Sequence, residues 1–379
     1  MQQLAVFGST GSIGRQALSV AALHSDRFKV SVIAARSNAE LVSKQIEEFV
    51  PDYVGMYDEE AAQTIKSRFP HVNIVAGGEV NALCALDGID TVVNGVSGFA
   101  GLFPLMSALE SGKRVALANK ESIVCAHKLV DRALKESGGS ILPVDSEQSA
   151  IFQCLTAGRK EDVKSLILTA SGGMFRDFTR EQLETVTPEM ALAHPTWNMG
   201  KKITVDSSSL FNKGLEVMEA GWLFGFEPDS VRVFIHPQSI VHSMVEYTDG
   251  AVVAQLARPD MRLAIQYALT YPERAVSHIS GVSPEMLSGL EFFEPDRNKF
   301  PALDLAYEAF REGESLPIAY NCANEVAVER FLSGEMKFTD IPRCVEYAMR
   351  RITKGKIETI DDILCLDKQA RVLAGEFAP

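Results

Sequence analysis

The sequence has little positive charge, no long apolar run and no paired cysteines. Its 37 lysines and arginines are outnumbered by 50 acidic residues, which gives a formal net charge of −13. Nucleic acids and anionic membrane surfaces are bound mainly through basic faces, so this balance argues against both kinds of partner. A small anionic substrate would need a local basic patch within such an acidic protein.

The six cysteines are dispersed, without a CxxC pair or the spacing of a metal site. They are Cys84, Cys125, Cys154, Cys322, Cys344 and Cys365. Such cysteines indicate buried, reduced thiols in a cytosolic protein. No apolar run reaches the roughly 20 residues of a membrane-spanning helix. Since a strand pattern already begins at Leu4, no signal or transit peptide is expected, and the sequence predicts a soluble cytoplasmic protein.

Length and hydrophobic pattern predict the fold class. A chain of 379 residues favours two or three domains, and 46% hydrophobic with 23% charged residues is typical of globular proteins. Short β-branched runs alternate with helical patterns at first, and the strand candidates are residues 4–7, 30–35, 53–56, 91–94, 115–118 and 141–144. This rhythm is typical of an α/β fold with a Rossmann-like, doubly wound parallel sheet.

The pattern changes after residue 147. Strands are expected at 165–170, 231–235, 240–247 and 251–256, and Asp249-Gly250 is a strong hairpin signal between the last two. A proline-rich stretch near 271–300 indicates a linker, and helical spacing predicts helices at 317–331, 341–352 and 360–374. We therefore expect an N-terminal α/β domain (1–144), a central α+β domain whose open sheet could dimerise (145–270), a linker (271–298) and a C-terminal helical bundle domain (299–379).

A glycine-rich loop, AVFGSTGSIGRQAL, follows the first predicted strand and opens a helix. Its glycines permit a tight turn and close approach of the backbone, while the free amides of a helix N-terminus attract a pyrophosphate. NAD sites usually present an acid to the ribose 2′-hydroxyl after the second strand. Here Arg36, Ser37 and Asn38 stand at that point, which favours NADPH. For Arg36 alone, an exposed arginine at a turn is the alternative.

The stretch LPVDSEQS, residues 142–149, places Asp145 and Glu147 two residues apart at the end of an apolar run. On an extended backbone the two carboxylates would converge, and convergent carboxylates repel unless a proton or a cation lies between them. A bound divalent ion is one interpretation. The alternative is a solvated strand end whose acids begin the following helix.

A third carboxylate occurs in VDSSSLFNKGLEVMEAGWLF, residues 205–224. If residues 207–209 open a helix, Asn212 and Lys213 lie four and three residues before Glu216, so one face presents an amide, an ammonium and a carboxylate. An ordinary exposed salt-bridge pattern is the alternative. Three carboxylates without a nearby His or Cys would suit Mg²⁺ or Mn²⁺ rather than zinc.

Several long motifs occur in order along the chain. They are GSTGSIG near the start, NKES at 119–122, PVDSEQSAIFQCL at 143–155, SGGMFRD at 171–177, HPTWNMG at 194–200, DSSSLFNKGLE at 206–216 and HPQSIVHSMVEY at 236–247. In these motifs the sequence resembles the 1-deoxy-D-xylulose 5-phosphate reductoisomerase family. The resemblance implies conversion of 1-deoxy-D-xylulose 5-phosphate to 2-C-methyl-D-erythritol 4-phosphate, with NADPH and Mg²⁺ or Mn²⁺, in the non-mevalonate route to isoprenoids. It also implies a homodimer.

The resemblance further implies roles for single residues. Asp145, Glu147 and Glu216 match the family's metal ligands, and Ser146 matches a substrate-binding residue. Lys120 matches an active-site lysine that stabilises oxyanion charge, and we expect Glu147 to assist proton movements with it. The expected phosphate pocket consists of Ser171, Ser207, Asn212 and Lys213. The expected cofactor-binding positions are Thr10, Gly11, Ser12, Ile13, Arg36, Ser37, Asn38, Asn119, Glu121 and Gly200.

Residues 194–200 match the family's flexible lid. There Trp197 is expected to cover the site and exclude water, Met199 to touch the nicotinamide, and His194 to approach the substrate. For Trp197 taken alone, core packing is the alternative, and a lone histidine is more often structural.

Two other functions are compatible with parts of this pattern. An NADP-dependent semialdehyde or homoserine dehydrogenase would share the nucleotide-binding domain but could work without the three carboxylates. A non-enzymatic NADP-binding sensor would need neither those carboxylates nor Lys120. Dependence on a divalent metal separates the reductoisomerase from the dehydrogenases, and absence of turnover with intact NADPH binding would favour the sensor.

Overall fold

The β-branched runs of the first third of the chain form one parallel sheet in the computed structural model, which describes residues 1–193 and 200–378. Its strands are β1 (Gln2–Phe7), β2 (Phe28–Ala35), β3 (Tyr53–Met56), β4 (Asn73–Ala76), β5 (Thr91–Asn94), β6 (Arg114–Leu117) and β7 (Ser140–Pro143). Their order is β4-β3-β2-β1-β5-β6-β7. The central strands are buried on both faces, which explains their continuous apolar runs.

This sheet confirms the predicted α/β fold with a Rossmann-like, doubly wound N-terminal part. Each of the predicted strands overlaps an observed strand, with ends that differ by no more than two residues. The short edge strand β4 is not among the predicted strands, because its side chains are half-exposed or exposed and leave no apolar pattern. The strand order reverses between β1 and β5, the point at which such sheets bind ligands at their carboxyl ends.

Helices connect and flank the strands. The first are α1 (Ser12–Leu23), α2 (Ala39–Phe49), α3 (Glu59–Arg68), α4 (Leu102–Glu110), α5 (Lys120–Ser137), α6 (Ser146–Cys154), α7 (Arg180–Leu183) and α8 (Pro188–Ala191). They are followed by α9 (Lys201–Ser209), α10 (Phe211–Phe224), α11 (Met261–Thr270), α12 (Pro284–Leu287), α13 (Ala302–Glu312), α14 (Ser315–Leu332), α15 (Asp340–Arg351) and α16 (Ile360–Glu376). Within residues 1–193 and 200–378, no helix has the length and apolar character needed to cross a membrane.

A second sheet follows the first in the chain. Its strands are β8 (Val163–Ala170), β9 (Val231–Ile235), β10 (Val241–Tyr247) and β11 (Val252–Leu256), in the order β11-β10-β8-β9. β8 and β9 pair in parallel, and the other pairs are antiparallel. β10 and β11 form the predicted hairpin, in which Gly250 has a φ of +87°. The open sheet expected for the central region is therefore present.

The chain divides by its internal contacts into two units. The first consists of Met1–Ser122, Val130–Ser149 and Asp260–Ile279, and the second of Ile123–Leu129, Ala150–Pro259 and the chain from Ser280 onward. In the first unit α11 packs on α1, where His24 Nε2 lies 3.1 Å from Gln266 Oε1. The domain boundaries expected from the sequence remain a prediction.

The helices predicted near the C-terminus are confirmed as α14, α15 and α16. α14 packs against both α15 and α16. It is the most buried of the three, since side chains all around it, including Ile318, Tyr320 and Phe331, are shielded from solvent. α14 therefore forms the centre of the helical part of the second unit.

Candidate active site

In the first unit, the glycine loop lies where the sheet reverses its order. β1 ends at Phe7, Gly8 has a φ of +75°, and α1 begins at Ser12. Gly11 is the N-cap of α1, and no described side chain caps this helix end or places an acid in its first turn. The predicted positions Thr10 to Ile13 therefore offer backbone amides and a partial positive charge to an anion such as a pyrophosphate.

The carboxyl end of β2 carries the groups expected at a 2′-phosphate. Arg36 and Ser37 follow β2 directly and are exposed. Asn38 is also exposed, and its Oδ1 accepts a hydrogen bond from the Leu41 amide at 3.0 Å, which caps α2. A guanidinium, a hydroxyl and a carboxamide at one strand end suit a phosphomonoester better than a ribose hydroxyl.

Asn119 ties together the loops that follow β5 and β6. It is the N-cap of α5, and its Oδ1 accepts a hydrogen bond from the Ser122 amide at 3.0 Å. Its Nδ2 donates to Glu121 Oε2 and to the Gly98 carbonyl, each at 2.8 Å. The sequence analysis does not single out the loop containing Gly98. Its signal is a second glycine-rich stretch, GVSGFAG, directly after a strand.

Lys120 and Asp145 lie at neighbouring strand ends of the same sheet. α5 begins at Lys120, soon after β6, and Asp145 follows β7. Lys120 Nζ lies 2.5 Å from Asp145 Oδ2, and the two side chains are only 7% and 14% exposed. The ammonium offsets the charge of the shielded carboxylate. The structure thus brings together a predicted catalytic lysine and a predicted metal ligand.

The carboxylates of Asp145 and Glu147 converge, although not on an extended backbone. α6 begins at Ser146, so Glu147 lies in its first turn. The expectation of an extended strand is therefore wrong, and these acids do begin the following helix. An oxygen of each carboxylate nevertheless lies within 4.8 Å of one from the other. The Ser146 hydroxyl donates to Glu147 Oε2 at 2.5 Å. Half-buried carboxylate oxygens at this spacing fit a hard divalent cation.

In the second unit, α9 and α10 meet at Leu210, which has a φ of +64°. The prediction that residues 207–209 open a helix is wrong, because they close α9, and α10 begins at Phe211. A left-handed conformation costs about 1–2 kcal/mol for a residue with a side chain. Leu210 is 3% exposed, so its side-chain burial opposes that strain.

The polar face predicted on α10 is present, and it is buried. Asn212 Nδ2 donates to Glu216 Oε1 at 2.5 Å, and Lys213 forms an ion pair with Glu216. Lys213 and Glu216 are 3% and 1% exposed, so the alternative of an exposed salt-bridge pattern is wrong. Buried charges are retained where they are paired or bind a ligand. The donors Asn212 and Lys213 on this face can therefore bind an anion, and the Glu216 carboxylate can bind a cation.

The loop that carries Ser171 lies directly against residues 207–208. Ser171 follows β8, and two residues later Gly173 has a φ of +65°. A β carbon at Gly173 would lie 2.8 Å from the Ser207 carbonyl oxygen and would overlap Ser208 Cα. Only glycine permits this approach. The sequence analysis does not single out Gly173, whose signal is the pair of glycines in SGGMFRD.

The predicted lid falls largely outside the described residues. His194, Trp197 and Met199 belong to residues 194–199, so their expected contacts stay predictions. Gly200 is exposed and is the N-cap of α9.

Models of one protein family match most of the chain. A model of 1-deoxy-D-xylulose 5-phosphate reductoisomerase matches residues 4–127, and one of that enzyme's C-terminal domain matches residues 141–224. A further model, described as the DXP reductoisomerase C-terminal domain, matches residues 256–373.

Individual proteins match over the full length. The 1-deoxy-D-xylulose 5-phosphate reductoisomerase of Geotalea uraniireducens (strain Rf4) is 48% identical over 375 residues, which cover 98% of this chain and 97% of that protein. A crystal structure of DOX-P reductoisomerase in complex with NADPH, fosmidomycin and magnesium has a TM-score of 0.93 at 36% identity, and covers 99% of this chain and 98% of its own. The Zymomonas mobilis enzyme in complex with NADPH also has a TM-score of 0.93 at 36% identity, with coverages of 99% and 97%. Because these matches in sequence and in fold cover nearly the whole chain, the chain belongs to the 1-deoxy-D-xylulose 5-phosphate reductoisomerase family.

Proposed function

We propose that the protein converts 1-deoxy-D-xylulose 5-phosphate to 2-C-methyl-D-erythritol 4-phosphate, with NADPH and a divalent cation, in the non-mevalonate supply of isoprenoid precursors. The observation that carries this proposal is the shared edge of one parallel sheet. The glycine loop follows β1, and the Lys120–Asp145 pair follows β6 and β7, so nucleotide and cation groups lie at the same carboxyl ends. Family membership selects this reaction and disfavours the dehydrogenase and sensor alternatives.

NADPH binding is proposed for the glycine loop and the neighbouring strand ends. The first-turn amides of α1 suit the pyrophosphate, and Arg36 with Ser37 suits the 2′-phosphate. Asn119 and Glu121 complete the set at the start of α5, held by the hydrogen bond between them.

Asp145, Glu147 and Glu216 are proposed to hold the divalent cation. All three offer carboxylate oxygens, which suit Mg²⁺ or Mn²⁺, whereas zinc prefers thiolate or imidazole ligands. When bound, the cation supplies Lewis acidity and NADPH supplies a hydride. Lys120 partly neutralises Asp145, and Lys213 does the same for Glu216, so the anionic ligands are accompanied by ammonium groups.

The substrate phosphate is proposed to bind Ser171, Ser207, Asn212 and Lys213. Hydroxyl, carboxamide and ammonium groups all donate hydrogen bonds to phosphate oxygens, and charged donors strengthen them. The close packing of Gly173 on Ser207 and Ser208 supports this grouping, because it brings two of the contributing chain segments together. The phosphate pocket is the local basic patch that an acidic protein needs for an anionic substrate.

Lys120 and Glu147 are proposed to act on the reacting oxygens. The reaction breaks and re-forms a carbon–carbon bond and then reduces the resulting aldehyde, so negative charge develops on substrate oxygen. Lys120 would stabilise that charge, Glu147 would hold or accept a proton, and the Ser146 hydroxyl would orient the Glu147 carboxylate. Glu147→Gln should therefore reduce turnover far more than NADPH affinity. Equal losses in both quantities would contradict this division of roles.

Residues 194–200 are proposed to close over the substrate. Trp197 would exclude water, Met199 and Gly200 would contact the cofactor, and His194 would approach the substrate. Exclusion of water strengthens every charged interaction inside the site.

A homodimer and a cytoplasmic location are also proposed. β11 is the edge strand of the second sheet, and its Val252 and Leu256 are 51% and 37% exposed, which favours pairing with a second copy. The cytoplasmic location is supported by free cysteines, of which all but Cys365 are buried.

NADPH consumption in the presence of 1-deoxy-D-xylulose 5-phosphate tests the proposed reaction directly. We expect oxidation with Mn²⁺ or Mg²⁺, none with a chelator, and none with aspartate semialdehyde, the aldehyde that a homoserine dehydrogenase would reduce. A folded protein that binds NADPH but consumes none with any metal would contradict the proposal and favour the sensor.

A further inference from the structure

Two residues of α14 contact the two sides of the α9–α10 junction. Tyr320 and Asn324 are one helical turn apart, so their side chains leave α14 on one face. Both are fully buried. Asn324 reaches the end of α9, and Tyr320 reaches the start of α10.

Asn324 holds the residue that precedes Ser207. Its Nδ2 donates to Asp206 Oδ1 at 2.8 Å, and Lys202 Nζ lies 2.5 Å from the other oxygen of that carboxylate. Asp206 is 1% exposed. Among the described residues, Asn324 Oδ1 has no hydrogen-bond partner. The hydrogen bond of the Asn324 carboxamide therefore goes to Asp206. Because both groups are buried and Asp206 is a carboxylate, this hydrogen bond holds the Asp206 side chain in one orientation.

Tyr320 holds the residue that precedes Asn212. Its ring lies 5.0 Å from the Phe211 ring, and its hydroxyl lies 3.4 Å from the Phe211 carbonyl and 3.2 Å from the Ala302 carbonyl. A β carbon at Gly214 would overlap that hydroxyl, so the Tyr320 hydroxyl packs closely against the first turn of α10. Each contact from α14 thus falls on a residue directly before a proposed phosphate ligand.

We propose that Tyr320 and Asn324 are positioning residues that fix the orientation of Ser207 and Asn212 toward the substrate phosphate. The inference rests on the proposed phosphate pocket. It follows from the strain at Leu210, whose left-handed backbone would relax if either flanking helix were free to turn. Because α14 contacts both the end of α9 and the start of α10, the helical part of the second unit determines how Ser207 and Asn212 are oriented toward the phosphate.

Asn324→Ala tests the inference through the steady-state kinetics of the holoenzyme. We expect the KM for 1-deoxy-D-xylulose 5-phosphate to rise about tenfold, since a charged hydrogen bond is lost. The kcat should change less than about twofold and the KM for NADPH should stay the same, because neither the hydride donor nor the reacting oxygens are touched.

Asn321→Ala is the matched control. Asn321 is also fully buried on α14, but its Nδ2 donates to Glu325 Oε1 at 3.4 Å instead of to Asp206. It should lower the melting temperature to a similar degree and leave the KM for the sugar phosphate unchanged. An equal rise in KM for both variants, or no rise for Asn324→Ala, would overturn the inference.

A swap of the two groups provides a rescue. Asn324→Asp alone opposes two carboxylates and should raise the KM for the sugar phosphate. Adding Asp206→Asn restores an amide–carboxylate hydrogen bond in the reverse direction and should recover most of that loss. Asp206→Asn alone measures the effect of losing the Lys202–Asp206 ion pair. If that single variant keeps a near-normal KM and the double variant still does not recover, the positioning role is refuted.

Two further variants distinguish a failure of the positioning role from misfolding and from a wrong assignment of the phosphate pocket. If Asn324→Ala does not fold, Tyr320→Phe carries the same test, since it removes a single hydroxyl and should raise the same KM about threefold. Lys213→Met must raise the KM for the sugar phosphate. A normal KM in Lys213→Met would show that the phosphate pocket itself is misassigned, and no turnover by the unaltered chain would refute the proposed reaction.

Discussion

The imidazole of His127 stacks on the indole of Trp222, with ring centroids 4.0 Å apart and planes 4° from parallel. His127 follows Ala126, where α5 is kinked, and Trp222 meets Phe310 edge-on at 5.1 Å. Burial and, to a smaller extent, the neighbouring Lys128 ammonium lower the pKa of His127 to about 4, against the opposing charge of Glu314. The ring is therefore neutral near pH 7 and packs as an aromatic group.

The depressed pKa predicts that stability falls as the pH drops from about 6.5 toward 4. A histidine in the unfolded chain titrates near 6.5, so between these values the unfolded state binds more protons than the folded state. Between about pH 7 and pH 5, His127 should remove about 2 kcal/mol of stability. Urea unfolding of His127→Phe, which keeps a ring on Trp222 without a titrating group, should show a smaller acid loss. Identical pH dependence in both proteins would contradict the assigned pKa.

Gly173→Ala should weaken both stability and substrate binding. The added β carbon meets Ser207 and Ser208 backbone atoms at a positive φ, so we expect a loss of about 2–3 kcal/mol and a raised KM for the sugar phosphate. Gly250→Ala is the control, because Gly250 also has a positive φ but no atom lies within 4 Å of the added carbon. It should lose only about 1 kcal/mol and leave the KM unchanged. Chemical unfolding and steady-state kinetics of both variants measure the difference, and equal effects would remove the evidence for this contact.

The sequence predicts elements well where one local signal dominates. The strand at 91–94 and the Asp249-Gly250 turn are confirmed because a buried apolar run and a hairpin dipeptide each act locally. The edge strand β4 is not predicted because it is stabilised by its backbone pairing with β3, whereas its own side chains show no apolar alternation.

The candidate site was harder to predict where packing overrides local preference. The serines at 207–209 favour a helix start, yet they end α9, because the chain turns at the buried Leu210. Likewise Glu147 approaches Asp145 as expected, but from the first turn of a helix and not from an extended strand. Motif resemblance singled out these residues, whereas spacing alone could not give their backbone geometry.

Arg36→Ala should change the cofactor preference. Loss of the guanidinium should raise the KM for NADPH about 10- to 100-fold, since hydrogen bonds to a charged phosphate are worth about 1.5–3 kcal/mol. NADH has no 2′-phosphate, so its kinetics provide an internal control and should change little. Parallel losses with both cofactors would place Arg36 away from the 2′-phosphate.

Asp145→Asn should weaken cation binding without affecting NADPH. We expect the affinity for Mn²⁺ to fall at least about 10-fold, since a charged ligand is replaced and Lys120 loses its partner. Titration of the protein with Mn²⁺, read from the free-ion signal, measures this. Asp162→Asn is the control, because the Asp162 side chain is 42% exposed and paired with Arg159 at 2.9 Å. Unchanged Mn²⁺ affinity in Asp145→Asn would exclude Asp145 as a ligand.

The left-handed residue at Leu210 has a consequence for how one short segment can surround an anion. In an uninterrupted α-helix, the side chains of Ser207 and Asn212 would point roughly 140° apart around a common axis and could not both bind the same phosphate. The turn at Leu210 ends one axis and starts another. The segment therefore gains a second helix beginning, whose partial positive charge and first-turn residues, including Lys213, add to the attraction for a phosphate. The left-handed conformation of Leu210 thus breaks what would be one continuous helix into α9 and α10. The residues on both sides of this break can then surround a negatively charged group.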